Sequence, residues 1–156
     1  MIRLVRKLCV WTLAIATTMA MVFAFASLPA LAATTPVIQA VSLTGNPGAP
    51  VITIYGSGFG TLPANTGQPV PFTGFDYGNQ LGFSDLTSNW NAGQSGNGIG
   101  ITVNQYTNST IQFGFGSYYQ TGGFSLATGD SFKVSVQGVS CTGTVGYPTT
   151  LPHRGR

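Results

Sequence analysis

Acid–base catalysis needs titratable side chains held in pairs, and this sequence is poor in them. Beyond its N-terminal segment the carboxylates are Asp76, Asp85 and Asp130, the one histidine is His153, the one thiol is Cys141, and there is no Glu. A carboxylate-pair hydrolase would have to use Asp76 and Asp85. Asp85 and Asp130 read more simply as turn or strand-end residues whose side chains accept from nearby backbone N–H groups. A Ser–His–Asp site would have to recruit His153 from a Pro-flanked tail. Calcium asks for about six oxygens, commonly with several carboxylates, and three scattered Asp with no Asp-x-Asp array do not supply them. Gly96-Asn97-Gly98-Ile99-Gly100 is a loose glycine cluster with no helix after it to offer N–H groups to phosphate. The residues therefore predict no enzyme, no metal and no cofactor.

Rings are the better lead. Aromatic residues make up 12% of the chain against 6% for charged ones, so contacts made by this protein rest on rings, amides and hydroxyls. Phe113 and Phe115 share an apolar phase with Ile111 and belong to a core, where full burial contributes roughly 1.5–3 kcal/mol each. Four others are out of phase or in polar company. Tyr106 falls opposite Ile101 and Val103. Trp90 sits in Ser88-Asn89-Trp90-Asn91, and Tyr118-Tyr119-Gln120 reads as a loop. Amphipathic rings beside Asn and Gln suit a neutral, hydroxyl-rich ligand or a protein surface. Trp90, Tyr106, Tyr118 and Tyr119 are thus the candidate binding residues. For Trp90 the competing reading is a plug at the base of a core.

The N-terminal segment sets both address and charge. Arg3, Arg6 and Lys7 precede an apolar run, residues 8–28, and Pro29-Ala30-Leu31-Ala32 supplies a breaker and a small-x-small site. This is the pattern of a secretory signal peptide over residues 1–32, cut after Ala32. The run is also long enough to span a bilayer as an uncleaved anchor helix. Both readings put the remainder outside the cytoplasm, secreted or at a cell surface. The net charge of +3 resides in the three basic residues of this segment. Beyond it Lys133, Arg154 and Arg156 balance the three Asp, and no basic patch remains to displace counterions from nucleic acid. Cys9 lies within the segment and lacks the setting of a lipoprotein anchor. Cys141 is then a single exported thiol, either incidental or available for intermolecular pairing.

The elements that must position these rings are strands. Val37 to Leu43 and Val51 to Tyr55 flank the turn cluster Gly45-Asn46-Pro47-Gly48. Ile52 and Ile54 oppose Thr53 and Tyr55, the alternation of a half-buried strand. Gly56-Ser57-Gly58-Phe59-Gly60 then ends that strand, the glycines setting a bend and Phe59 closing over the core. Pro63, Pro69 and Pro71 exclude a central strand from the loop that follows. Gln80 to Ser84, Ile99 to Asn104, Ile111 to Phe115 and Phe132 to Val136 are further strands. Nothing beyond the N-terminal segment shows a sustained 3.6-residue apolar period, so short strands at regular spacing predict an all-β sandwich. Residues 33–141 form this domain, and residues 142–156 read as an irregular tail.

Laid out this way, the chain resembles the immunoglobulin-like IPT/TIG domain family. The resemblance rests on Pro36-Val37-Ile38, the Val51–Tyr55 strand, Gly56-Ser57-Gly58-Phe59-Gly60, Asn108-Ser109-Thr110-Ile111, and Gly129-Asp130 before Phe132, Val134 and Val136. It covers roughly Pro36 to Val139. The Pro- and Gly-rich stretch from Thr61 to Asn79 exceeds a minimal domain, and no clear closing strand follows Val136. The resemblance implies an exported Ig-like module for adhesion, ligand contact or spacing. Expected partners are a polysaccharide or a surface protein. A structural spacer or self-assembling envelope component is the alternative, since a surface this short of charge favours self-association.

Overall fold

Alternation at Ile52 and Ile54 produces what it predicts: both side chains are fully buried, and they lie on a strand at the heart of an antiparallel sheet. The computed structural model describes residues 35–94 and 98–147. The expected signal segment, residues 1–32, and His153 lie outside the described residues. No helix among those described is long and apolar enough to cross a membrane.

Among the described residues, eight strands and one short helix follow in chain order. They are β1 (Val37–Asn46), β2 (Ala49–Ser57), β3 (Leu81–Asp85), β4 (Trp90–Ala92), β5 (Ile101–Tyr106), β6 (Thr110–Phe115), α1 (Ser117–Thr121), β7 (Ser131–Val136) and β8 (Val139–Thr144). One sheet has the order β1-β2-β6-β5 and the other β4-β3-β7-β8, with every pairing antiparallel. Their inner faces form one apolar core. Ile52, Ile54, Ile101, Ile111 and Phe113 come from the first sheet, and Leu81, Phe83, Ala92, Val134 and Val136 from the second. Phe83 and Phe115 touch across the layers, edge to face at 5.2 Å. The described residues form an all-β sandwich.

The glycine block ends β2 for two separate reasons. A Cβ on Gly56 would lie 1.9 Å from the Val37 carbonyl oxygen and 2.6 Å from the ring of Phe59, so this glycine is demanded by close approach. Gly60 meets nothing but has φ +68, so it is demanded by backbone conformation. Between them Phe59 is completely buried. Its N–H donates to the Asn108 carbonyl, and the Gly60 N–H donates to Asn108 Oδ1, each at 3.1 Å. Its own carbonyl accepts from the Gln137 amide at 2.8 Å and the Tyr106 hydroxyl at 3.2 Å.

The proline-rich stretch after it is a strap. Phe75 exchanges two 2.9 Å backbone bonds with Ile101 on β5, and the Tyr77 N–H donates to Gly93, just beyond β4. One short segment thereby joins the outer strands of the two sheets along one side. Gly74 and Gly100 are back to back, and a Cβ on either would fall within 2.7 Å of the other's backbone.

The irregular tail expected from residue 142 does not begin there. Thr142 to Thr144 complete β8, paired with β7 from Ser131↔Thr144 to Val136↔Val139. Val145 enters the core, and the Tyr147 hydroxyl donates to the Leu126 carbonyl at 2.9 Å. The strand was hidden because its inward positions are Val139, Cys141 and Gly143, a weak apolar row. The ring of Phe132 lies over Gly143, where a Cβ would come within 2.7 Å. Cys141 is a half-buried free thiol packed against the core.

Gly56→Ala is expected to cost about 3 kcal/mol, the upper end of ordinary overpacking, because neither the Val37 carbonyl nor Phe59 has room to move. Gly60→Ala should cost about 1 kcal/mol through its left-handed backbone alone. Urea unfolding of both variants measures the difference, which should appear in the midpoint with an unchanged slope.

Candidate functional site

The four rings singled out by sequence divide between the two ends of the sandwich. Trp90 stands opposite Asp85 in the β3–β4 register and points inward. It is 6% exposed and contacts Phe83, Phe115, Tyr119 and Phe124 with ring centroids 5.3–6.0 Å apart. Tyr119 sits on α1, 1% exposed, with its hydroxyl donating to the Pro47 carbonyl. Neither has a face left for a ligand, and both are corrected from binding residues to core. Their polar neighbours in the sequence misled because β4 is three residues long. Its two inward side chains, Trp90 and Ala92, are too few to register as alternation.

Tyr106 is placed by a different feature. The β5–β6 register shifts between Val103 and Gln105, a bulge at Asn104 that adds one residue and reverses the facing of everything after it. Tyr106 therefore lands opposite Ile111, half-buried against the core, with its hydroxyl on the Phe59 carbonyl. Its phase is opposite to that of Ile101 and Val103 in the sequence, and the bulge turns it to the same face.

Tyr118, like Tyr106, is partly buried and packs against the core. It follows Ser117, whose N–H donates to Thr73 Oγ1 while Ser117 Oγ accepts from the Thr73 N–H. That reciprocal pair pins the strap to the start of α1 and sets Phe72 against Tyr118, stacked at 4.3 Å and 29°. Phe124 meets Tyr118 edge-on at 5.5 Å. Phe124 also touches Trp90, so three of the four predicted rings belong to one aromatic chain running from Phe83 in the core out to Phe72. Near its outer end the strap exposes Val70 (83%) and Phe75 (40%).

Sequence reasoning passed over Tyr55. It is 45% exposed on β2, with small neighbours Ala40 and Thr110 across the strands. The signal was present in its outward phase opposite Ile52 and Ile54.

The carboxylates are separated. Asp85 is 1% exposed, and its Oδ1 accepts from the Thr87 and Ser88 N–H groups at 2.8 and 2.9 Å. Asp130 Oδ2 accepts from the Ala127 N–H at 2.6 Å. Both serve turns, as expected. Asp76 lies in the strap, 6% exposed, and burial pushes its carboxyl above the ordinary carboxylate range. Asp76 Oδ1, Asp85 Oδ2 and the Trp90 indole N–H have no hydrogen-bond partner among the described residues. The described residues form no pocket, and no three His, Cys, Asp or Glu side chains among them gather at a metal-sized site. No protein-family model matches the chain, and no curated protein or solved structure matches it.

Two hydroxyls at the α1 end of the sandwich make folding sensitive to base. Burial, and then the nearby Asp130 carboxylate, push Tyr147 up to about 12. Burial, the adjacent Tyr147 and the carboxylates of Asp85 and Asp130 push Tyr119 higher still. Below about pH 10 these groups are protonated in folded and unfolded chains alike. Above it the unfolded chain releases the protons first, so stability should fall as pH climbs from about 10 toward about 12. Urea midpoints at pH 9 and 11.5 measure the loss. Tyr119→Phe and Tyr147→Phe should each reduce it, leaving the smaller contributions of Tyr77 and Tyr106, which burial also raises.

Proposed function

We propose that this chain is an exported, non-enzymatic immunoglobulin-like module of the IPT/TIG kind that binds a polysaccharide or a protein at a cell surface. The observation that carries the reading is the ring between Phe72 and Phe124 near the outer end of the aromatic chain. Tyr118 is held at the surface, braced by Phe72 and Phe124 and pinned through the Thr73–Ser117 pair. A ring held in place before any partner arrives loses little conformational freedom on binding. The separation of the three Asp, two of them committed to backbone turns, supports a non-enzymatic role. Export rests on the basic, apolar and Ala30-Leu31-Ala32 pattern of the N-terminal residues.

Glycan-array binding and cell-wall pull-down with the exported protein test this reading. Tyr118→Ala should weaken retention about tenfold or more, the effect of losing one anchoring aromatic, in a protein that has a lower midpoint but still unfolds cooperatively. Wild-type retention by the variant would remove Tyr118 from the binding surface.

A self-assembling envelope component is the second reading, favoured by β1. This ten-residue strand is an outer strand of its sheet and carries no charged residue, so its edge lacks the usual guard against pairing with another chain. Light scattering at rising concentration should then show growth in mass. A monomer at high concentration would rule it out.

A further inference from the structure

One carboxylate is treated unlike the other two. Asp85 and Asp130 each receive backbone N–H groups from their own turns. Asp76 is 6% exposed, yet its Oδ1 is sealed from solvent and has no hydrogen-bond partner among the described residues. Burying an ionised carboxylate without donors is costly, and burying the neutral acid is far less so. Burial of this side chain is therefore linked to its protonation.

The position of Asp76 gives that linkage something to move. On one side Phe75 exchanges two 2.9 Å backbone bonds with Ile101 on β5. On the other the Tyr77 and Gly78 N–H groups donate to the Gly93 carbonyl at 2.7 and 3.1 Å. The Asp76 N–H donates to the Gly67 carbonyl at 2.8 Å, and its carbonyl accepts from the Thr66 N–H at 2.7 Å, so the strap also doubles back on itself here. Residues 75–77 thus form a clip between Gly74 and Gly78, both of positive φ, 89° and 57°. Hydrating Oδ1 requires the middle residue of this clip to shift, and its two neighbours must shift with it.

We propose that the strap is a pH-operated clasp, closed over the side of the sandwich while the Asp76 carboxyl is neutral and loosened from β5 and Gly93 when that carboxyl ionises. The surrounding elements supply no opposing charge. The strap's other titratable group is Tyr77, β5 brings Tyr106, α1 brings Tyr118 and Tyr119, and β4 brings none. These phenols are neutral over the range in which a carboxyl titrates. Burial alone holds the Asp76 carboxyl above its ordinary 3.8, with no contribution from Asp85, Asp130 or Lys133. Well below pH 3.8 the group is neutral in the closed and open forms alike. As pH rises the open form releases its proton first, so closure weakens until the closed form has ionised too, and then changes no further. Loosening leaves the outer edge of β5 unpaired at Ile101. The inference stands whether or not Tyr118 contacts a ligand.

Amide hydrogen exchange followed by NMR, with each rate divided by the intrinsic rate at that pH, tests it. Protection of the Phe75, Tyr77 and Ile101 amides should fall at least about threefold between pH 3.5 and 7 relative to amides of the β2–β6 ladder. The Asp76 carboxyl carbon should titrate in the same interval. Asp76→Asn keeps the shape and removes the charge, so in this variant the relative protection should be constant with pH. Its urea midpoint relative to the wild type should be higher at pH 7 than at pH 3.5, a difference that a merely structural role would not produce. If Asp76→Asn does not fold, coincidence of the wild-type exchange profile with the Asp76 carbon titration decides the matter. Constant relative protection in the wild type, or Asp76 titrating at or below 3.8, would overturn the proposal. So would a pH dependence that persists in Asp76→Asn, which would assign it to Asp85 or Asp130, or a midpoint difference that does not change with pH.

Discussion

The structure depends on how one residue is buried. Phe59 places an entire benzyl group between the sheets while its backbone runs through the interior of the glycine bend. A buried peptide group without partners would cost about 1–3 kcal/mol for each unpaired atom, and none is left unpaired here. The N–H is taken by Asn108 from the β5–β6 turn; the carbonyl is taken by Tyr106 on β5 and by Gln137 in the β7–β8 turn. The two sheets are therefore joined at this end through one carbonyl oxygen. Gln137 reaches it because it and Gly138 both have positive φ, 49° and 84°, the form of a two-residue hairpin turn matched to strand twist.

The opposite end uses aromatic packing instead. Trp90, Phe115 and Tyr119 fill the space that α1 and the chain around Leu126 close, and the Tyr119 hydroxyl reaches back to the β1–β2 turn at Pro47. The strap closes one side by bonding Phe75 to β5 and Tyr77 to Gly93. Tyr118 and Phe72 are an outcome of that closure, brought to the surface where strap and helix meet. Structural need thus accounts for most of the rings that composition made conspicuous.

What was legible in the sequence follows the strength of alternation. Ile52 with Ile54, Ile111 with Phe113, and Phe132 with Val134 and Val136 each mark strands that exist, since burial on one face repeats at period two. The glycine block was legible as a strand end, and the turn roles of Asp85 and Asp130 were legible from residue type. The losses have separate physical causes. Asn104 is a bulge, invisible to any pattern that counts alternate residues. β4 is too short to establish a period. β8 offers Gly143 where a larger residue would collide with Phe132. Tyr55 was assigned to the correct face, yet a ring on a strand that is mostly apolar attracts less notice than a Trp among asparagines.

The strand order has a temporal side. The chain is four hairpins, β1–β2, β3–β4, β5–β6 and β7–β8, dealt alternately to the two sheets. A chain emerging from its N-terminus shows Ile52 and Ile54 long before β6 is present to pair with β2, and Phe83 before β7 arrives. Neither layer can be completed on its own, and each waits for a hairpin separated from it by one belonging to the other. Such interleaving defers the rewarding contacts to the end of synthesis, because loop closure must precede them. Each sheet can close only once both of its hairpins are present, so the sandwich is completed last of all.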